Sequence, residues 1–103
     1  MNKIFSTLAV AAVALGLAVP ALAANKTVRV TDNVFRAKIV TINKGNTVTW
    51  NWVGNSPHNV KFLAGFGSAT KVNGTYRHTF RKRGTFRYRC TIHSGQTGKV
   101  IVQ

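Results

Sequence analysis

The sequence predicts an all-β domain built as two sheets packed face to face. Apolar and polar residues alternate over short blocks, the period of a half-buried strand. Clusters of Gly and Asn separate those blocks, and no stretch of useful length repeats its apolar residues at helical spacing. About seven short strands, with turns roughly every 8 to 12 residues, is the pattern of a β-sandwich.

The N-terminal segment reads differently. Lys3 begins it, residues 8–19 are Ala, Val and Leu with one Gly, and Ala21-Leu22-Ala23 offers the small residues a signal peptidase accepts. Residues 1–23 are therefore expected to be a secretory signal, cleaved after Ala23 or one residue later, after Ala24. The apolar run is short of the roughly 20 residues that span a bilayer. Residues 24–103 are then one working domain, in the periplasm or otherwise secreted.

Within that domain the expected strands are 27–31, 38–42, 47–52, 59–63, 76–80, 85–90 and 99–102. Asn43-Lys44-Gly45-Asn46, Gly54-Asn55-Ser56-Pro57, Asn73-Gly74 and Arg81-Lys82-Arg83-Gly84 mark turns. Side chains alternate across a strand, so Tyr76, His78 and Phe80 share one face and Arg77 and Thr79 the other. In the next strand Phe86, Tyr88 and Cys90 oppose Arg87 and Arg89. The aromatic sets should point inward, with His78 structural among them and Cys90 on the core side at a strand end. Arg77, Arg81, Lys82, Arg83, Arg87 and Arg89 are expected on one basic hairpin.

Composition excludes several chemistries. One acid, Asp32, stands against 15 Lys and Arg residues, for a formal charge of +14; without the signal, 80 residues carry +13. A single carboxylate rules out paired-carboxylate catalysis and acidic cages for calcium or magnesium. The single cysteine rules out an internal disulfide and a Cys-rich zinc or iron–sulfur site. A domain this small buries only about 60% of its unfolded surface, and a bound metal would add stability by favouring the folded state.

Cys90-Thr91-Ile92-His93-Ser94-Gly95-Gln96 spaces a thiol, an imidazole and an amide oxygen three residues apart in a short loop, and His58 follows Pro57 near another strand start. Two imidazoles and a thiolate form the trigonal set that suits copper, with a weak fourth ligand on the axis. Thiolate is soft and binds Cu(I) well, whereas imidazole serves both oxidation states.

Most of residues 38–102 resembles the cupredoxins, type 1 blue copper proteins of the plastocyanin and amicyanin type. The resemblance rests on Gly45-Asn46-Thr47-Val48-Thr49-Trp50, Pro57-His58-Asn59-Val60, Gly84-Thr85-Phe86-Arg87-Tyr88-Arg89-Cys90 and Gly98-Lys99-Val100-Ile101-Val102. It implies a Greek-key sandwich of about seven to eight strands, binding one copper ion that cycles between Cu(I) and Cu(II). By the same resemblance His58, Cys90 and His93 are the equatorial ligands, and Asn59 ties the two ligand loops together with Thr91 as its partner. Where plastocyanins and amicyanins carry an axial methionine this chain has Gln96, as in the stellacyanin branch. An amide oxygen is a harder donor than a thioether, so it should favour Cu(II) and lower the reduction potential.

The resemblance implies a carrier of single electrons, without an enzymatic reaction. Electrons would pass through His93 at an apolar surface to which Ala64, Gly65, Phe66 and Gly95 contribute. The positive charge should attract an acidic redox partner, with an anionic membrane surface as a further target, and the chain is expected to be a monomer. One alternative is a periplasmic copper-buffering or delivery protein using the same ligands. A more distant one is a basic domain that binds single-stranded nucleic acid; export and the inward-facing aromatics argue against it, and no nucleic acid is expected.

Overall fold

The computed structural model describes residues 24–103, so the expected signal at 1–23 lies outside the described residues. Eight strands follow in order: β1 Lys26–Val30, β2 Phe35–Arg36, β3 Ile39–Ile42, β4 Thr47–Trp52, β5 Lys61–Phe62, β6 Gly74–Thr79, β7 Gly84–Arg89 and β8 Thr97–Val102. They form two four-stranded sheets, ordered β3-β8-β7-β5 and β2-β1-β4-β6. β1 and β4 run parallel, as do β3 and β8, and the other pairs are antiparallel. The all-β sandwich expected from alternation is the fold.

Alternation fixes which side chains meet between the sheets. Val48, Trp50 and Trp52 of β4 face inward, as do Val28 and Val30 of β1, and Tyr88, Val100 and Val102 close on them from the other sheet. Trp50 is fully buried and makes edge-on contacts with Phe62 and Tyr88 across the gap, at ring-centroid distances of 5.6 and 5.4 Å. Each side chain so buried contributes roughly 1.5–3 kcal/mol. His78 is half-buried in this layer, stacked on Phe66 at 4.0 Å and edge-on to Phe80 at 4.6 Å. Burial lowers its pKa below the ordinary 6.5.

Two expectations need correction. The basic residues do not share a hairpin, because β6 and β7 belong to different sheets. Phe80 is anchored between them: it donates its N–H to Asn46 O at 3.0 Å and accepts from Gly45 N at 2.7 Å. The chain therefore crosses the sandwich instead of turning back. Arg77 lies on the outer face of one sheet, Arg87 and Arg89 lie on the outer face of the other, and Arg81, Lys82 and Arg83 occupy the connection.

The strand expected at 59–63 is only Lys61–Phe62. Val60 instead exchanges hydrogen bonds with Ser68, through Ser68 Oγ at 2.9 Å and Ser68 N at 2.8 Å, and Asn59 is taken up by side-chain contacts. β2 was not expected, since two residues carry no readable period.

Candidate metal centre

Two chain segments meet at one end of the sandwich. The first follows β4. His58 pairs with Lys71 through two backbone hydrogen bonds of 3.0 Å, and its carbonyl also accepts from Trp52 Nε1 at 3.2 Å. Its imidazole is fully buried. The second segment is the loop from β7 to β8. Cys90 N donates to Gln96 O at 2.9 Å and Gln96 N to His93 O at 3.2 Å, which closes the loop into a tight turn. Gly95, at φ +85°, takes the left-handed conformation that this turn requires.

The donor atoms of His58, Cys90 and His93 all lie within 4.8 Å of one another. Cys90 Sγ and His93 Nδ1 are 3.6 Å apart. Gln96, almost fully buried, joins them: its Oε1 lies 2.9 Å from His58 Nδ1. The amide orientation follows from its other contact, since Nε2 faces the carbonyl oxygen of Thr31 at 3.0 Å and only the nitrogen can donate there. The amide oxygen is thereby turned into the cluster.

Asn59 joins the two segments. Its Nδ2 donates to Thr70 Oγ1 at 2.8 Å and Thr91 Oγ1 at 2.9 Å, and its Oδ1 accepts from Thr91 N at 2.9 Å. The residue after His58 is thus bonded to the residue after Cys90.

Sequence reasoning gave Asp32 no part in the site. The structure brings its Oδ1 within 3.3 Å of His58 Nε2, and the same oxygen accepts from Asn55 N, Ser56 N and Ser56 Oγ at 2.7, 3.0 and 3.1 Å. Hydrogen bonds from the Ser56 backbone, the His58 ring and the Asn55 backbone hold the carboxyl down to about 2. Ser56 Oγ lies 3.2 Å from the same Nε2, so the outer ring nitrogen of His58 is turned to Asp32 and Ser56 and the inner one, Nδ1, faces Gln96 Oε1. Two imidazole nitrogens, one sulfur and an amide oxygen thus face one another, a donor set that fits a copper ion.

The apolar patch is a correction. From Lys61, opposite Arg89, β5 runs past Phe62, opposite Tyr88, and Leu63 N then bonds Arg87 O. The chain at 64–66 therefore leads away from Cys90. Phe66 turns inward onto Phe62 and His78. Ala64, Gly65 and Phe66 lie apart from Gly95 and His93; the half-exposed apolar side chain in the His93 loop is Ile92.

An eight-stranded sandwich with a His, Cys, His cluster at one end defines a copper-binding β-sandwich protein, a cupredoxin. The family model described as copper binding proteins, plastocyanin/azurin family, matches residues 23–103. Amicyanin-alpha of Methylorubrum extorquens is 36% identical over 105 residues, spanning 95% of this chain and 88% of its own. Amicyanin of Paracoccus denitrificans is 41% identical over 66 residues, 57% of this chain and 50% of its own. The structure of an oxidised amicyanin mutant has a TM-score of 0.69 at 31% identity, over 75% of this chain and 80% of that one. A purple cupredoxin from Nitrosopumilus maritimus, 21% identical, shares the fold at a TM-score of 0.70 over 76% of this chain and 99% of that one. The chain belongs to the copper-binding plastocyanin/azurin family. Its cofactor is one copper ion, and it is a small carrier of single electrons, not an enzyme.

Proposed function

We propose that residues 24–103 work as an exported electron carrier whose copper is held by His58 Nδ1, Cys90 Sγ and His93 Nδ1, with Gln96 Oε1 as a weak fourth donor. The observation that carries this reading is the convergence of those four atoms at one end of the sandwich. The composition of residues 1–23 supports export to the periplasm.

Bound copper supplies the one-electron couple. The side chains that would hold it are fixed by the surrounding structure. His58 is fixed by its backbone pairing with Lys71, Cys90 is held at the end of β7, and the amide of Asn59 keeps the two segments in register. Burial of Cys90, His58 and Gln96 keeps water from the donors, while His93 is only partly covered and offers the route to the surface.

The partner is acidic in this reading. Asp32 is the only acid of the chain and is engaged by His58, so no side-chain carboxylate is left for the Lys and Arg residues. A groove of about 390 Å³ runs along the outer face of β3-β8-β7-β5, lined by Lys38, Arg87, Arg89 and Lys99 with exposed Ile39 and Leu63 at its sides. Arg89 and Thr97, at its edge, also border the hollow over the Cys90–Gln96 loop. A partner carrying carboxylates around an apolar centre fits this groove and would lie close to the copper loop.

Cyclic voltammetry of the copper-loaded protein tests the carrier role. A reversible one-electron wave is expected. Sluggish interconversion with loss of copper on reduction would instead support copper buffering or delivery.

A further inference from the structure

Among the described residues, the single side-chain carboxylate is not spent on any Lys or Arg. It reaches from the turn after β1 to the segment before β5, and four hydrogen bonds converge on one oxygen, the fourth from His58 Nε2. The backbone makes room for it. A methyl group at Gly54 would overlap the Asp32 carboxylate oxygen, so glycine there is a condition of the contact. Parallel pairing of β1 with β4, continued by Val53 N to Val30 O at 3.0 Å, brings the two turns together.

We propose that Asp32 is a positioning residue for the electron-transfer site, holding His58 in its Nε2–H tautomer and making Nδ1 a stronger donor to Cu(II) than to Cu(I). This rests on His58 being a copper ligand. A carboxylate that accepts from the far nitrogen of a metal-bound imidazole fixes the ring and raises its basicity, and loss of such a partner costs roughly 10- to 100-fold in metal affinity. The more highly charged ion gains more from a basic ligand, so the carboxylate lowers the reduction potential. A purely structural role, closing the turn at Asn55 and Ser56, would leave the potential unmoved.

Asp32→Asn separates the two roles, because asparagine can still accept from the Asn55 and Ser56 amides while losing the charge. With the full mature chain, the ratio of Cu(II) to Cu(I) affinity should fall by roughly tenfold, a rise of about 59 mV by voltammetry. Nitrogen NMR of the copper-free protein should show His58 moving from a single Nε2–H tautomer to a mixture. Gly54→Ala, which crowds the carboxylate away, should shift the potential in the same direction in the native background and have little effect added to Asp32→Ala. An affinity ratio within twofold of wild type in Asp32→Asn, with the copper–thiolate band intact, overturns the inference and leaves the copper-site reading standing. A wild-type protein that gives no such band overturns both.

Discussion

Asn59→Ala is the sharpest perturbation of the link between the two copper-loop segments. The side chain is 2% exposed and makes three hydrogen bonds, two to Thr91 and one to Thr70. A hydrogen bond of this kind contributes about 1 kcal/mol net, so truncation should cost about 3 kcal/mol. For a domain of this size that is a fall in Tm of roughly 12–24 °C. Thr91→Ala removes only the hydroxyl contact, since the Thr91 amide still reaches Asn59 Oδ1, and should cost about 1 kcal/mol. Urea unfolding of the copper-free variants, read by Trp fluorescence, measures both. If Asn59→Ala costs no more than Thr91→Ala, the amide is not the tie between the segments.

Other outcomes follow from the same geometry. His78, lowered by burial, is neutral in the fold and favours it above its ordinary pKa of 6.5; that contribution is lost as pH falls through the lowered value. The fall in Tm of the copper-free protein on acidification should be smaller in His78→Phe than in wild type. Gln96→Met should raise the reduction potential, because a thioether favours Cu(I) relative to an amide oxygen; an unchanged or lower potential by voltammetry would remove Gln96 from the site. Arg87→Glu with Arg89→Glu should slow electron exchange with hexacyanoferrate and flatten its salt dependence. Arg29→Glu with Arg77→Glu, the same charge change on the opposite sheet, should do so less.

The strands were legible because each has an inward and an outward face. Val48, Trp50 and Trp52 announce β4, and Phe86 and Tyr88 announce β7. Pairing was not legible, because a period of two says which way a side chain points and nothing about which strand lies beside it. The arginines around Phe80 therefore looked like one hairpin, although the chain crosses between sheets there. Direction was lost in the same way at Phe66, close in sequence to His58 but turned away from it by the run of β5 past Tyr88 and Arg87. His58, Cys90, His93 and Gln96 were readable as candidate donors because chemistry limits which side chains can bind the ion and three of the four lie within one loop, and the structure brings the four side chains together. Asp32 was not, since its contact with His58 spans 26 residues and exists only once β1 and β4 pair. The one signal present was its isolation as the sole acid of a strongly basic chain.

The most direct test of the whole account is a titration of the copper-free protein, residues 24–103, with Cu(II), followed by visible absorption. An intense thiolate-to-copper charge-transfer band that saturates at one equivalent, and is absent in Cys90→Ser, is the expected result. A solution that stays colourless, or a band that survives in Cys90→Ser, would contradict it.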